Sequence, residues 1–139
     1  MLILKFGEKE LKVKFGYEAT LKTKLLSKVS KKGASIKGED DLSSVERIEE
    51  MMLFLPEMLL VGLQKLHKEE YWFDYETGDG KDEQLEKMYE LIEEYCDSEN
   101  EDEDAFTLFQ HIENELMSDG FLASMFRKEQ AKTEKKYAE

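Results

Sequence analysis

The chain has 139 residues, with 33 acidic against 20 basic side chains and a formal charge of −13. That length fits one domain burying roughly two thirds of its unfolded surface. The lone Cys96 excludes an internal disulfide and fits a reducing cytoplasm. The charge is unevenly divided: residues 1–38 hold ten Lys and three acids, residues 39–126 five bases and 27 acids, and residues 127–139 five bases and three acids. A body this acidic repels phosphates, so nucleic acid is not expected as its partner, and its charge serves solubility. Met1 to Phe6 lacks the basic start and cleavage site of a signal peptide, and Pro56 and Glu57 interrupt the longest apolar run. The expectation is therefore a soluble protein with no membrane span.

In chain order, Leu2, Leu4 and Phe6 alternate with Ile3 and Lys5, and Leu11, Val13 and Phe15 alternate with Lys12 and Lys14. This predicts a β-hairpin over about 1–16. Two strands alone are marginal in water, so the hairpin must lie on helices, join a larger sheet or pair with another chain; self-association is one expectation. The outward lysines protect its edges. Tyr17, Leu21, Leu25 and Val29 predict a helix of about four turns. Residues 30–41, with two glycines and no apolar period, read as a loop.

The central stretch runs from Val45 to Leu66. Val45, Ile48, Met52 and Leu55 recur at helical spacing, and Leu59, Leu63 and Leu66 continue it. Pro56 lies inside, where a missing donor and a clash predict a kink or break. The expected form is a buried hairpin of two short helices that also covers Met51, Phe54, Met58 and Leu60. Ser43 and Glu46 form a capping-box pattern at its start. Tyr71, Trp72, Phe73 and Tyr75 follow, four rings that cannot all face one side of a helix. Two or three sealing the core edge is the favoured reading, and an exposed anchor for a protein partner is the other.

Leu85, Met88, Tyr89, Ile92, Tyr95 and Cys96 predict an amphipathic helix started by Asp79 or Asp82. Ala105, Leu108, Phe109, Ile112 and Leu116 predict another, closed by Gly120. Phe121, Leu122, Met125 and Phe126 could open a last helix, and 127–139 reads as a polar, frayed tail. The fold class expected is α+β: one mostly helical domain over 1–126, opened by the hairpin.

No stretch carries recognisable chemistry. The acidic run from Asp97 places Asp102 where a calcium loop needs Gly and Leu108 where it needs a bidentate Glu; a loop counted from Asp74 fails likewise at Gly78 and Leu85. His67 and His111 lie 44 positions apart with no companion at metal-ligand spacing, and each reads as a helix-surface residue. Gly78-Asp79-Gly80-Lys81 lacks the glycine spacing and hydroxyl of a phosphate loop. Cys96 reads as a small core residue. No catalytic residue, cofactor or metal is expected, and the chain reads as a non-enzyme.

Three stretches together carry a resemblance: the hairpin ending Leu11-Lys-Val-Lys-Phe15-Gly16 before a short helix, the acidic helix around Leu91-Ile-Glu-Glu-Tyr95, and the ending Ile112-Glu-Asn-Glu-Leu-Met-Ser-Asp-Gly-Phe-Leu122. Their order resembles the short-form tail assembly chaperones of long-tailed bacteriophages of Gram-positive hosts. The resemblance implies a protein of the host cytoplasm, absent from the mature virion, that binds and solubilises the tape-measure protein and helps recruit the tail-tube protein. It also implies a longer frameshifted form, for which Lys135-Lys136 offers an adenine-rich codon pair. Partner-binding residues expected on this basis are Tyr71, Trp72, Phe73, Tyr75, Met117, Phe121, Leu122, Met125 and Phe126. Methionines 51, 52, 58, 88, 117 and 125 either adapt to varied helical surfaces or fill the core, the latter favoured for the first four. Two other classes stay open: an acidic inhibitor imitating DNA through the carboxylates of 82–94 and 97–104, and a generic helical adaptor.

Overall fold

The computed structural model describes residues 1–29, 44–98 and 103–118. The expected loop at 30–41, Ser43 of the capping box, Gly120, Phe121, Leu122, Met125, Phe126 and the tail at 127–139 lie outside the described residues. Strands β1 (Leu2–Phe6) and β2 (Lys9–Val13) pair antiparallel, followed by helices α1 (Tyr17–Lys22), α2 (25–29), α3 (Ser44–Leu63), α4 (Lys68–Tyr71), α5 (Lys81–Cys96) and α6 (Ala105–Ser118). The architecture is mostly helical with an N-terminal hairpin, as the patterning predicts.

The hairpin turns through Gly7-Glu8, with Gly7 at φ 65°. Glycine first suits a two-residue hairpin turn, and its missing Cβ leaves room for the Glu94 carboxylate. Leu4, Phe6, Leu11 and Val13 all point inward and are buried. They rest on α3, α5 and α6, so helices supply the cover that a two-stranded sheet lacks. Phe6 and Tyr95 meet in a tilted ring pair with centroids 6.0 Å apart.

α3 is the axis of the fold, touched by β2, α1, α4, α5 and α6. It is one continuous helix with Pro56 buried inside it, not the expected pair of short helices. An interior proline costs about 3 kcal/mol or more. Burial of Phe54, Leu55, Met58, Leu59, Leu60, Val61 and Leu63 outweighs that, at about 1.5–3 kcal/mol per large apolar side chain. Both apolar sides are covered because neighbours surround the helix, not because it folds back on itself. Its predicted stripe holds only in part: Leu55, Leu59 and Leu63 are buried, while Val45, Ile48 and Leu66 at the two ends are exposed.

The predicted four-turn first helix is instead two short ones. The Thr23 hydroxyl donates to the Ala19 carbonyl at 2.6 Å, the Lys24 amide bonds back three residues to Leu21, and Lys24 takes φ 58°. A hydroxyl competing for helix carbonyls and a left-handed residue together end α1. The rotation buries Ala19, Thr20 and Leu25 and leaves Tyr17 and Leu21 in water.

α5 starts at Lys81 after Gly80 at φ 85°, so the cap is a glycine, not the expected Asp79 or Asp82. Met88, Leu91 and Tyr95 are its buried positions. Tyr89 and Cys96, expected on the same stripe, face solvent, each one residue and therefore about 100° beyond a buried neighbour. Cys96 is thus no core residue. Partial desolvation, then Asp104 and Asp97, push its thiol above the ordinary range, which disfavours a reactive thiolate. At α6, Asp104 Oδ1 accepts the Thr107 amide at 2.7 Å, a side-chain N-cap. The same bond holds the Asp104 carboxyl below the usual range.

Candidate partner-binding surface

The segment after α3 is built around Gln64, which is almost fully buried. Its amide donates to the carbonyls of Leu60 at 3.1 Å and Tyr71 at 2.8 Å, and its Oε1 accepts the Tyr75 hydroxyl at 3.1 Å. A buried amide must find such partners, and here they tie the last turn of α3 to the aromatic segment. The next turn is also pinned. Asp74 Oδ1 accepts the amides of Thr77 at 3.0 Å and Glu76 at 2.8 Å, which holds the Asp74 carboxyl below its usual range. Gln84 of α5 donates to the Trp72 carbonyl at 3.2 Å.

This scaffold divides the four predicted rings. Tyr71, the last residue of α4, and Phe73 are buried in the core, so as partner-binding residues they are corrected: the extended backbone at Trp72, between them, turns its own ring away from both. Tyr75 is half-buried and meets Phe73 edge-on at 5.3 Å. Trp72 is 49% exposed. Beside Trp72 and Tyr75, α1 supplies Tyr17, 68% exposed, and the charged pair Glu18 and Lys22, while Lys65 comes from the turn after α3 and Lys68 from the start of α4. Two shallow hollows that share Glu18, Lys68 and Tyr75 join these residues into one shelf of rings and lysines.

Sequence reasoning missed Tyr17 and the lysines. It placed Tyr17 on an inward stripe, and only the break at Thr23–Lys24 turns it outward. The structure does not bring Met117 to this shelf: it lies part-exposed on α6, which packs on α3, α5 and β1. A second apolar exposure lies on the first half of α3, where Val45 is 65%, Ile48 57% and Leu53 64% exposed.

Electrostatic ties surround the shelf. Glu57 of α3 receives both Lys28 and, at 3.0 Å, Lys81. Burial works against its ionisation, and the two ammonium groups more than offset that, so the carboxyl lies below its usual range. Lys9 pairs with Glu70, which raises the lysine and lowers the carboxylate. His67 takes the Lys12 amide on Nε2 at 2.9 Å, so it caps the outer edge of β2 and is more than a surface residue.

Among the described residues no group of His, Cys, Asp and Glu is arranged to hold a metal, and no helix is long and apolar enough to cross a membrane. Comparison with protein-family models, with curated proteins and with solved structures found no significant match.

Proposed function

We propose that the chain is a non-enzymatic tail assembly chaperone, which binds the tape-measure protein, keeps it in solution and helps recruit the tail-tube protein in the host cytoplasm. The observation that carries this reading is the exposure of Val45, Ile48 and Leu53, large aliphatic side chains left in water on one helix of a chain with charge −13. Val45 and Ile48 lie one turn apart on the same side of α3, and apolar exposure of this kind on an acidic body suits a protein that holds an aggregation-prone helical chain: apolar contacts supply attachment, and net charge keeps the complex dispersed. The Tyr17–Trp72–Tyr75 shelf adds rigid aromatic area, and Lys65 and Lys68 offer partners for carboxylates of the bound chain.

A second reading is favoured by the outer face of α5, where Asp82, Glu83, Glu86, Glu90, Glu93 and Glu94 are all exposed. A row of carboxylates on a rigid helix could stand in for phosphates against a basic nucleic-acid enzyme.

Co-expression with the tape-measure protein encoded downstream separates the two. The chaperone reading expects soluble tape-measure protein that co-elutes in size exclusion and stays bound as salt rises. Precipitation of that protein, with this chain eluting alone, rejects it; salt-sensitive binding to a basic nucleic-acid enzyme would then support mimicry.

A further inference from the structure

The two edges of the hairpin are treated differently. On β2, the Lys12 amide donates to His67 Nε2 at 2.9 Å and the Lys14 amide to the Gly62 carbonyl at 3.0 Å. Both amides therefore point away from β1. Because amide direction alternates along a strand, the ladder bonds run through Leu11 and Val13 to Leu4 and Leu2, their register partners. It follows that Ile3 and Lys5 of β1 turn their N–H and C=O groups outward. Among the described residues nothing bonds to them, and both residues are exposed, Ile3 at 49%. An uncovered row of this kind is a template for another strand.

We infer that the β1 edge is a self-pairing site, at which β1 of a second copy adds antiparallel about Leu4 to give a continuous sheet in the order β2–β1–β1–β2. The strand's own sequence selects this occupant. It is five residues long with Leu4 at its centre, so a two-fold axis there pairs every position. Ile3 falls opposite Lys5 of the partner copy, and the two exchange both main-chain bonds because both face outward. On the inner face Leu4 meets its own copy and half-buried Leu2 meets Phe6, all apolar. On the outer face the alkyl stem of Lys5 lies over Ile3, and no like charges are directly opposed. The enlarged sheet also answers the marginal stability of two strands. Repulsion between two acidic bodies opposes the pairing and is screened by salt, so association tightens as ionic strength rises. The site does not depend on which polypeptide the chain holds elsewhere.

The test is sedimentation of the full chain from about micromolar to about millimolar concentration, with amide exchange followed by NMR on the same samples. The expected result is a monomer–dimer equilibrium in which the Ile3 and Lys5 amides become at least about tenfold better protected in the concentrated sample, while the Leu4 amide is protected in both. Ile3→Pro removes only an outward donor, which an edge strand tolerates, and is expected to keep the far-UV spectrum and stay monomeric. Should that variant not fold, exchange in the unaltered chain decides alone. A chain monomeric throughout overturns the proposal, as does a dimer in which the Ile3 and Lys5 amides stay unprotected. A folded Ile3→Pro variant that still dimerises overturns it equally.

Discussion

The phenol of Tyr75 donates to the side-chain carbonyl of Gln64 at 3.1 Å, so the last residues of the central helix and the aromatic shelf share one buried polar hub. Gln64→Leu keeps the volume but takes the side-chain partner from the Leu60 and Tyr71 carbonyls and from the Tyr75 hydroxyl. A buried unsatisfied group costs about 1–3 kcal/mol, so the variant is expected to lose about 2–4 kcal/mol in urea unfolding. Tyr75→Phe, which leaves one amide oxygen unpaired at a half-buried site, loses about 1 kcal/mol. Trp72 is the only tryptophan, so its emission follows the shelf directly. An unchanged midpoint in Gln64→Leu would mean that the hub does not support the segment.

Gly62 and Val13 define a second contact. A Cβ at Gly62 would lie 2.7 Å from Val13 Cγ1 and 3.2 Å from Phe15 Cζ, while the Gly62 carbonyl takes the Lys14 amide. Gly62→Ala gains about 1 kcal/mol of helix propensity and loses about 1–3 kcal/mol to overpacking. The net expectation is destabilisation by about 1 kcal/mol, with β2 pushed off α3. Val13→Ala removes the clashing methyl. In a double-mutant cycle the pair should therefore be less destabilised than the sum of the singles; strict additivity would show that the backbone shifts freely.

How much of this was legible follows from what each element needs. The hairpin was, because its period-two pattern has one inward face and its helices complete the burial. The helix positions were too, since long apolar periodicity survives most tertiary contexts. Pro56 was misread because local rules price the proline but not the surrounding core that overrides it. Tyr17 and Cys96 were misread because a stripe drawn from spacing has no edges: a single 100° step, or the left-handed Lys24, decides between core and water. Of the predicted contact residues, Trp72 emerged at the surface with Tyr75 half-buried beside it. The lysines of the shelf gave no signal, as a charge on a helix reads the same beside a ring or in open solvent.

The exposed row on α3 yields a prediction that separates binding from folding. Ile48→Glu and Val45→Glu replace side chains already in water, and such surface changes usually stay within about 0.5 kcal/mol. Both variants are expected to unfold at nearly the parent midpoint, yet to leave the co-expressed tape-measure protein insoluble. Solubility retained in the double variant would remove this row from the proposed interface and shift attention to Tyr17 and Trp72, whose alanine variants are the matched experiment.

Glu57 supplies the pH dependence. Its carboxyl, held down by Lys28 and Lys81 against the effect of burial, has a lower pKa in the folded chain than in the unfolded one, where glutamate titrates near about 4.3. Between those two values the unfolded state binds more protons, so stability rises with pH. The contribution is complete above the unfolded value and is lost as pH falls through the folded one. Other carboxyls, including Glu70, are lowered in the same way, so the acid limb of the parent protein alone does not isolate this group. The difference between the parent and Glu57→Gln does. Urea unfolding of both chains across the acid range should show the parent more stable at neutral pH, with a gap that closes on acidification. A gap independent of pH would assign the effect of the substitution to packing around α3 and not to the two ion pairs.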